Sequence, residues 1–134
     1  MQNFFDLYTG DTEIIKSVEN SIPINLLEND NKFSMIVGSN KSGKTSLAKS
    51  YSILNQANLI FDIPKSIKKI KKTYLDLNSL NLADENLFHF LQYFISQDIG
   101  LTIFTSTDPL NVDENQAIIA DIKSRFSLFN IARI

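Results

Sequence analysis

Residues 34–48, SMIVGSNKSGKTSLA, constrain the fold of this chain more than any other stretch. They contain the spacing G-x-x-x-x-G-K-[ST] of a phosphate-binding loop, fulfilled by Gly38, Gly43, Lys44 and Thr45. An apolar run that favours a strand, 33–37, precedes the motif, and a run that favours a helix, 45–55, follows it. Strand, loop and helix in this order are the setting in which the motif binds phosphate.

Each fixed position of the motif has a physical task. The two glycines let the backbone adopt conformations that a side chain forbids, so successive N–H groups can converge on phosphate oxygens at the positive end of a helix. Lys44 adds a charge for the outer phosphates, and the Thr45 hydroxyl can ligate Mg²⁺. The predicted site for ATP or ADP also includes Ser39, Asn40, Lys41, Ser42 and Ser46. An accidental turn is the alternative, but chance produces the pattern in fewer than roughly one chain in a hundred of this length.

Composition adds few limits. With 134 residues the chain is long enough for one domain, 1–134, and too short for two. Its net charge of −2 predicts no global attraction to nucleic acid or membrane. The absence of cysteine excludes disulfides and thiolate metal sites. Because the sequence has neither an apolar run of about 18 residues nor a signal-type start, we expect a cytoplasmic protein.

Apolar patterning predicts strands that alternate with helices. The predicted strands are 33–37, 57–63, 73–78, 101–106 and 129–134. The predicted helices are 12–20, 45–55, one from about Leu82 that ends at or just before Gly100, and 112–125. This order implies an α/β fold of three layers, with a five-stranded parallel sheet between helices.

Residues 64–72, PKSIKKIKK, contain five lysines. The run is open to two interpretations: a contact for nucleic acid or an acidic partner, or a solvated linker between two strands. From the sequence alone we favour the linker.

A phosphate-binding loop needs a carboxylate on a neighbouring strand to hold the Mg²⁺ shell. Asp62 and Asp76 both follow apolar runs. We prefer Asp76, because in the additional-strand ATPases this acid lies on the third strand. The alternative for Asp76 is a carboxylate at a strand end that caps nearby backbone N–H groups. The next residue is Leu77, and an apolar side chain cannot polarise water, so we expect little hydrolysis.

Polar residues end the fourth predicted strand. Thr105 and Ser106 lie where a side chain can reach the outer phosphate or its water, and ordinary turn chemistry before Asp108 is the alternative. His89 is interpreted as a packed or half-buried helix residue rather than a base or a metal ligand, since no second histidine exists.

The segment DIKSRF, 121–126, leading into a terminal strand, resembles the arginine-bearing segment of the bacterial replication initiator DnaA and its regulatory relative Hda, both AAA+ proteins. GSNKSGKTSLA resembles the phosphate loop of that family, ENLFHFLQYF its helix after the third strand, and LTIFTSTDP its fourth strand. The resemblance extends in order over nearly the whole chain from about Phe4.

The resemblance implies roles for individual residues. Nucleotide contacts would fall on residues 38–45, the magnesium acid on Asp76, and the fourth-strand sensor on Ser106 or Thr107. Arg125 would be the arginine finger, which places a rigid guanidinium against the γ-phosphate of the next subunit. The alternative for Arg125 is an i,i+4 pair with Asp121 on a helix surface.

The chain also departs from the family. It ends without the helical lid, which predicts weaker nucleotide binding, and it lacks both the DnaA DNA-binding domain and the acid after Asp76. Residues 2–7, QNFFDL, only partly match a sliding-clamp-binding peptide.

The resemblance therefore implies a nucleotide-binding AAA+ base domain that regulates replication initiation through contacts with DnaA, with the sliding clamp as a second partner and with weak or no hydrolysis. One alternative is a small P-loop ATPase or kinase, which needs more arginine than Arg125 and Arg133. The other is a scaffold that has lost the nucleotide, and the intact Lys44 argues against it.

Overall fold

The computed structural model describes Leu27 and residues 32–40, 42–66 and 71–134. The predicted helix 12–20, the partial clamp-binding peptide at 2–7, Lys41 and the centre of the lysine run at 67–70 lie outside the described residues. None of the helices in the described part of the chain has the length and apolar character needed to cross a lipid bilayer.

The described residues form a parallel sheet with helices in its connections. The strands are β1 (Phe33–Val37), β2 (Asn58–Ile60), β3 (Thr73–Asp76), β4 (Leu101–Thr105) and β5 (Asn130–Arg133). The helices are α1 (Lys44–Leu54), α2 (Glu85–Gln97) and α3 (Ala117–Phe126), with a short 3₁₀ helix at Pro109–Asn111. The predicted α/β class and the five-stranded parallel sheet are confirmed.

The strand order of the sheet is β2-β3-β4-β1-β5. The fourth strand therefore lies between the first and the third, where Met35 pairs with Ile103 and Leu75 pairs with Ile103 from the other side. Because all neighbours are parallel, the carboxyl ends of β1, β3 and β4 meet at one edge of the sheet. The loop after β1 starts at that edge.

Alternating side chains on the central strands build two cores, one on each face of the sheet. Met35, Leu75 and Ile103 are fully buried in the core beneath α2 and α3. Residues adjacent to these on the same strands, Ile36, Tyr74 and Phe104, pack with α1 on the other face. The sheet is thus covered by α1 on one face and by α2 and α3 on the other.

Helix α2 shows why a stretch of this sequence forms a helix. Its N-cap Asp84 accepts a hydrogen bond from the Asn86 N–H at 2.9 Å, and its C-cap Asp98 is left-handed with φ 57°. Its buried residues are spaced as one helical face: Leu87, Phe90, Leu91 and Phe94. The helix ends before Gly100, as predicted, but the left-handed residue is Asp98.

Two predicted boundaries differ most from the structure, although the helix predicted from about Leu82 also begins only at Glu85 and the strand predicted for 73–78 ends at Asp76. The helix predicted from Val112 begins only at Ala117, because residues 109–111 form a 3₁₀ turn and residues 112–116 are irregular. The strand predicted for 57–63 ends at Ile60, and Phe61 beyond it is 55% exposed. This strand is at the edge of the sheet and pairs only with β3 among the described residues, so little holds it extended.

We expect Phe104→Ala to lower the free energy of unfolding by about 3–5 kcal/mol, because its ring is fully buried and lies 5.4 Å from the ring of Tyr74. Leu110→Ala is the control, since Leu110 is 69% exposed and its loss should change stability by less than about 0.5 kcal/mol. Urea unfolding followed by circular dichroism measures both. Equal effects from the two variants would contradict the described core.

Candidate phosphate-binding site

The loop between β1 and α1 requires glycine at two positions for different reasons. Gly43 is the N-cap of α1 and has φ 91°, which is left-handed and favours glycine. A Cβ on Gly38 would lie 2.6 Å from both Ile134 Cγ1 and Ser42 Oγ, so a side chain there would force both neighbouring side chains to move. The loop is therefore a tight backbone turn against the end of β5.

The loop leads directly into the amino end of α1, where Gly43 is the N-cap. The N–H of Leu47 donates to the Gly43 carbonyl at 3.0 Å, and no side chain caps Gly43. The first N–H groups of a helix have no acceptor inside it, and the helix dipole makes this end positive. Both properties suit a phosphate.

Lys44 lies under the loop. Its side chain belongs to a residue only 4% exposed, and its Nζ donates to the Ser39 carbonyl oxygen at 2.5 Å. The same oxygen accepts the Ser42 N–H at 3.1 Å and its hydroxyl at 2.7 Å. Burial lowers the pKa of Lys44 below its ordinary value, and the charge of Asp76 opposes that shift. An additional anion at the loop would stabilise the charged ammonium.

The described members of the predicted nucleotide-contacting set lie close to Lys44 in the chain. Ser39, Asn40 and Thr45 are exposed, whereas Ser42 and Ser46 are half-buried. Thr45 is thus exposed at the first turn of α1.

The tip of β4 joins the loop to the end of β3. The N–H of Gly38 donates to the Thr105 carbonyl at 3.0 Å. The hydroxyls of Thr105 and Ser106 donate to the Asn78 carbonyl oxygen at 2.9 and 2.7 Å. Thr107 turns to the same region, where its hydroxyl accepts the N–H of Leu80 at 3.0 Å. The polar residues predicted at this strand end therefore hold three chain segments in place.

The structure separates the two candidate magnesium acids. Asp76 ends β3, is half-buried, and is close enough to Lys44 for its charge to raise the pKa of that lysine. Asp62 follows β2 one strand further from the loop, is exposed, and accepts the N–H of Ile63 at 2.8 Å. Among the described residues no group of three or more His, Cys, Asp or Glu could hold a metal, so any Mg²⁺ would rely on phosphates, water and few protein ligands.

Arg125 lies away from the loop of its own chain. Its Nε donates to Gln92 Oε1 at 3.0 Å, and its guanidinium stands 4.5 Å from the centre of the Phe88 ring. Its contact with Asp121 is a hydrogen bond to the backbone carbonyl at 3.1 Å. Because α3 ends just before β5 begins, Arg125 is near the amino edge of the sheet, opposite the loop.

Sequence reasoning missed an ion pair beside the loop. Arg133 on β5 donates to both oxygens of Asp108, from Nε at 2.6 Å and from Nη2 at 3.0 Å. These hydrogen bonds lower the pKa of Asp108 below its ordinary value. The two residues are 25 positions apart in the sequence. Their pairing links the segment after β4 to β5, which lies on the other side of β1 in the sheet. No local pattern connects residues so far apart.

We expect Arg133→Gln to raise the pKa of Asp108 toward its ordinary value of 3.8. A carboxyl whose folded pKa is depressed stabilises the fold above its unfolded pKa and loses that contribution as the pH falls through the folded value. The variant should therefore be less stable than the wild type at pH 7, by about 1 kcal/mol or less, and the difference should shrink below pH 3.8. NMR titration of the Asp108 carboxyl carbon and urea unfolding at several pH values measure both effects. An unchanged Asp108 pKa in the variant would contradict the pairing.

Comparisons with known proteins leave the family open. No family model matches this chain, and neither does any curated protein. Among solved structures, the solution structure of protein NMB1076 from Neisseria meningitidis is similar over 75% of this chain and 73% of that one, with a TM-score of 0.48 and 15% identity. A likeness of this extent does not identify a shared activity.

Proposed function

We propose that this chain binds ATP or ADP with Mg²⁺ through residues 38–46, as an AAA+ base domain of the DnaA/Hda type with a P-loop. The observation that carries the proposal is the position of Lys44. A buried ammonium at the amino end of a helix, under a turn fixed by a left-handed Gly43, is the arrangement that a phosphate-binding loop requires. A lysine in an ordinary turn would extend into water.

The strand order supports the same class. Insertion of β4 between β1 and β3 is the arrangement expected of an additional-strand ATPase, and it brings Thr105 against the loop. Asp76 then stands on the next strand, on the far side of β4, where a carboxylate can complete a magnesium shell that begins at Thr45. The exposed Ser106 hydroxyl is the proposed sensor of the outer phosphate.

Hydrolysis is expected to be weak or absent. Leu77 follows Asp76, packs against the core beneath α2 and α3, and cannot activate water. The nucleotide then acts as a bound signal, and the protein works in the cytoplasm as a regulator of replication initiation. DnaA is its proposed partner, with the sliding clamp as a second, through the residues at 2–7.

The orientation of Arg125 fits a role in trans. Phe88 and Gln92 hold its guanidinium on the α2 and α3 side of the sheet, far from the loop of the same chain. A finger held in this way can meet a phosphate only on another subunit. In this proposal Arg125 completes the site of an associated AAA+ protein.

Isothermal titration calorimetry with ADP and Mg²⁺ tests the binding site. The wild type should release or absorb heat with a saturating isotherm, and Lys44→Ala should lose binding by about tenfold or more because the buried ammonium no longer meets the phosphates. Lys49→Ala is the matched control: it removes the same charge from an exposed position of the same helix and should bind normally. Absence of heat with the wild type would leave only the non-binding scaffold.

The same titration identifies the metal acid. Asp76→Asn should abolish the dependence of ADP affinity on Mg²⁺, whereas Asp62→Asn should retain it. Asp76 is close enough to the loop for its charge to act on Lys44, so it is the acid placed to hold a metal beside the phosphates. Steady ATP turnover by the isolated chain would contradict the role assigned to Leu77 and favour the small ATPase.

Mixing with the DnaA of the same organism tests the regulatory proposal. We expect stimulated ATP hydrolysis by DnaA, and Arg125→Ala should reduce that stimulation by about 10³-fold or to background if the guanidinium acts as a finger. Lys123→Ala removes a charge from the same helix and should retain it. Stimulation that survives Arg125→Ala would exclude the finger, and absence of stimulation by the wild type would exclude DnaA as the partner.

A further inference from the structure

The outer edge of β5 presents main-chain groups that pair with no other strand in the described part of the chain. Strand β5 is the last strand of the sheet on its side and pairs with β1. The N–H of Ile134 donates to the Val37 carbonyl at 2.8 Å. Because successive residues of a strand turn their N–H and C=O groups to opposite sides, those of Ile131 and Arg133 point away from β1. A free edge of this kind is a template for another extended chain.

A cavity lies along this edge on the face of the sheet that α3 covers. It has a volume of about 290 Å³, and both Ile131 and Arg133 line it. Five of its eight lining residues are apolar: Pro109, Leu110, Phe126, Phe129 and Ile131. Phe126 and Phe129 are buried in the core whereas Leu110 is 69% exposed, so the cavity extends from the core to the surface. Its volume is below the roughly 300–1,000 Å³ of sites for whole small molecules and suits one or two side chains.

The charges that line the cavity select the chemistry of an occupant. Lys123 and Arg133 are in the lining, and their acidic partners Glu114 and Asp108 are not. Arg133 donates two hydrogen bonds to Asp108, from Nε and Nη2. A guanidinium has five N–H donors, so three of them are left for an incoming carboxylate. An occupant that carries an apolar group and a carboxylate therefore complements the lining.

A charged residue at a free edge can also serve only to discourage pairing, and Arg133 considered alone fits that purpose. An edge protected by charge alone needs no apolar cavity beside it. Leu110, two residues after the acidic partner of Arg133, and Leu128, two residues before β5, are 69% and 56% exposed. Exposed apolar side chains near both ends of the strand are typical of an interaction surface.

We propose that the edge of β5 and this cavity, together called the β5 groove, bind an extended segment of a partner protein. An apolar side chain of the segment fills the cavity, and a carboxylate on the same face of the segment meets Arg133. The segment adds a strand to the sheet, with main-chain hydrogen bonds to Ile131 and Arg133, which supply affinity while the cavity selects the side chain. The cavity lies on the face of the sheet opposite α1, so this binding does not depend on the nucleotide site.

The molecule contains two internal controls. A second cavity, of about 270 Å³ between α2 and α3, carries the opposite charge because Glu85 and Asp121 line it. His89 also lines this second cavity and is exposed, contrary to its predicted packing. The other control is Leu59 on β2, at the opposite edge of the sheet, whose main-chain groups point away from β3. An acidic peptide that binds the β5 groove should affect neither residue.

NMR titration of the ¹⁵N-labelled protein with a synthetic peptide tests the proposal. The peptide has about eight residues of alternating threonine and valine, with a central leucine and a glutamate two positions later, so that both side chains are on one face. We expect the amide signals of Ile131 and Arg133 to shift and their exchange with water to slow by about fivefold or more, because both N–H groups become donors in a new ladder. The amides of Leu59 and His89 should not shift.

Matched peptides separate the contributions to affinity. N-methylation of the alternate nitrogens that face β5 removes main-chain donors and should weaken binding by about tenfold or more, whereas methylation of the other nitrogens should not. Replacement of the leucine by alanine should cost about tenfold, because the cavity is no longer filled. Replacement of the glutamate by glutamine should cost about three- to fivefold, as expected for a charge pair at a surface.

Variants of the protein locate each contribution. Leu110→Ala should weaken the leucine peptide by about threefold or more and leave the alanine peptide unchanged. Leu54→Ala is the matched control, since Leu54 is 50% exposed at the end of α1, and it should bind both peptides as the wild type does. Arg133→Gln should remove the preference for glutamate over glutamine. Because Leu110 is an exposed residue, unfolding would not explain a loss of binding in its variant.

Four outcomes overturn the proposal. The first three are no shift of Ile131 and Arg133 at peptide concentrations up to about 1 mM, equal shifts at Leu59, or equal affinity for the two N-methylated peptides. The fourth is a shift of the same amides when the protein is concentrated without peptide, which would identify a second copy of the chain as the occupant.

Octanoate supplies an apolar group and a carboxylate without a main chain. It should bind at least about tenfold more weakly than the peptide, and equal affinity would assign the cavity to small amphipathic acids instead. Lys44→Ala should leave peptide binding intact. Failure of nucleotide binding and failure of peptide binding are therefore separately measurable.

Discussion

The hydrogen bond from the Gly38 N–H to the Thr105 carbonyl is the contact on which the geometry of the loop depends. It continues the pairing of β1 and β4 by one residue, so it fixes the position at which the chain leaves β1 and enters the loop. The Thr105 hydroxyl in turn donates to the Asn78 carbonyl, so the segment after β3 also supports the loop. A loop fixed to β4 and to the segment after β3 holds its backbone N–H groups in one orientation, which reduces the entropy lost when an anion binds.

The buried charge of Lys44 is the second constraint. An ammonium removed from water is unfavourable unless acceptors surround it, and here the Ser39 carbonyl and the field of Asp76 serve that purpose. The Ser39 oxygen accepts three donors at once, so Lys44 holds the loop closed from beneath. A phosphate that accepted hydrogen bonds from the Lys44 ammonium would weaken the hydrogen bond from Nζ to the Ser39 carbonyl. We therefore expect the loop to change shape when an anion binds.

Sequence reasoning succeeded where local pattern and burial agree. The bounds of β1 were predicted to the residue, since its apolar run meets a glycine at one end and a polar loop at the other. It failed where strand pairing determines the length of an element. The strand β2 is shorter than its apolar run because it lies at the edge of the sheet and has one neighbouring strand in the described part of the chain. The helix expected from Val112 starts later, because Asp108 caps a 3₁₀ turn instead. The ion pair of Asp108 with Arg133, joining distant segments, has no signature in the linear order.

The crowding between Gly38 and Ile134 has an evolutionary consequence. A methyl group at position 38 would overlap the Ile134 side chain, so the change becomes tolerable only after residue 134 has lost bulk and the Ser42 side chain has moved. A larger residue at position 38 is therefore expected to need a smaller one at position 134, which couples the loop to the end of the sheet's edge strand.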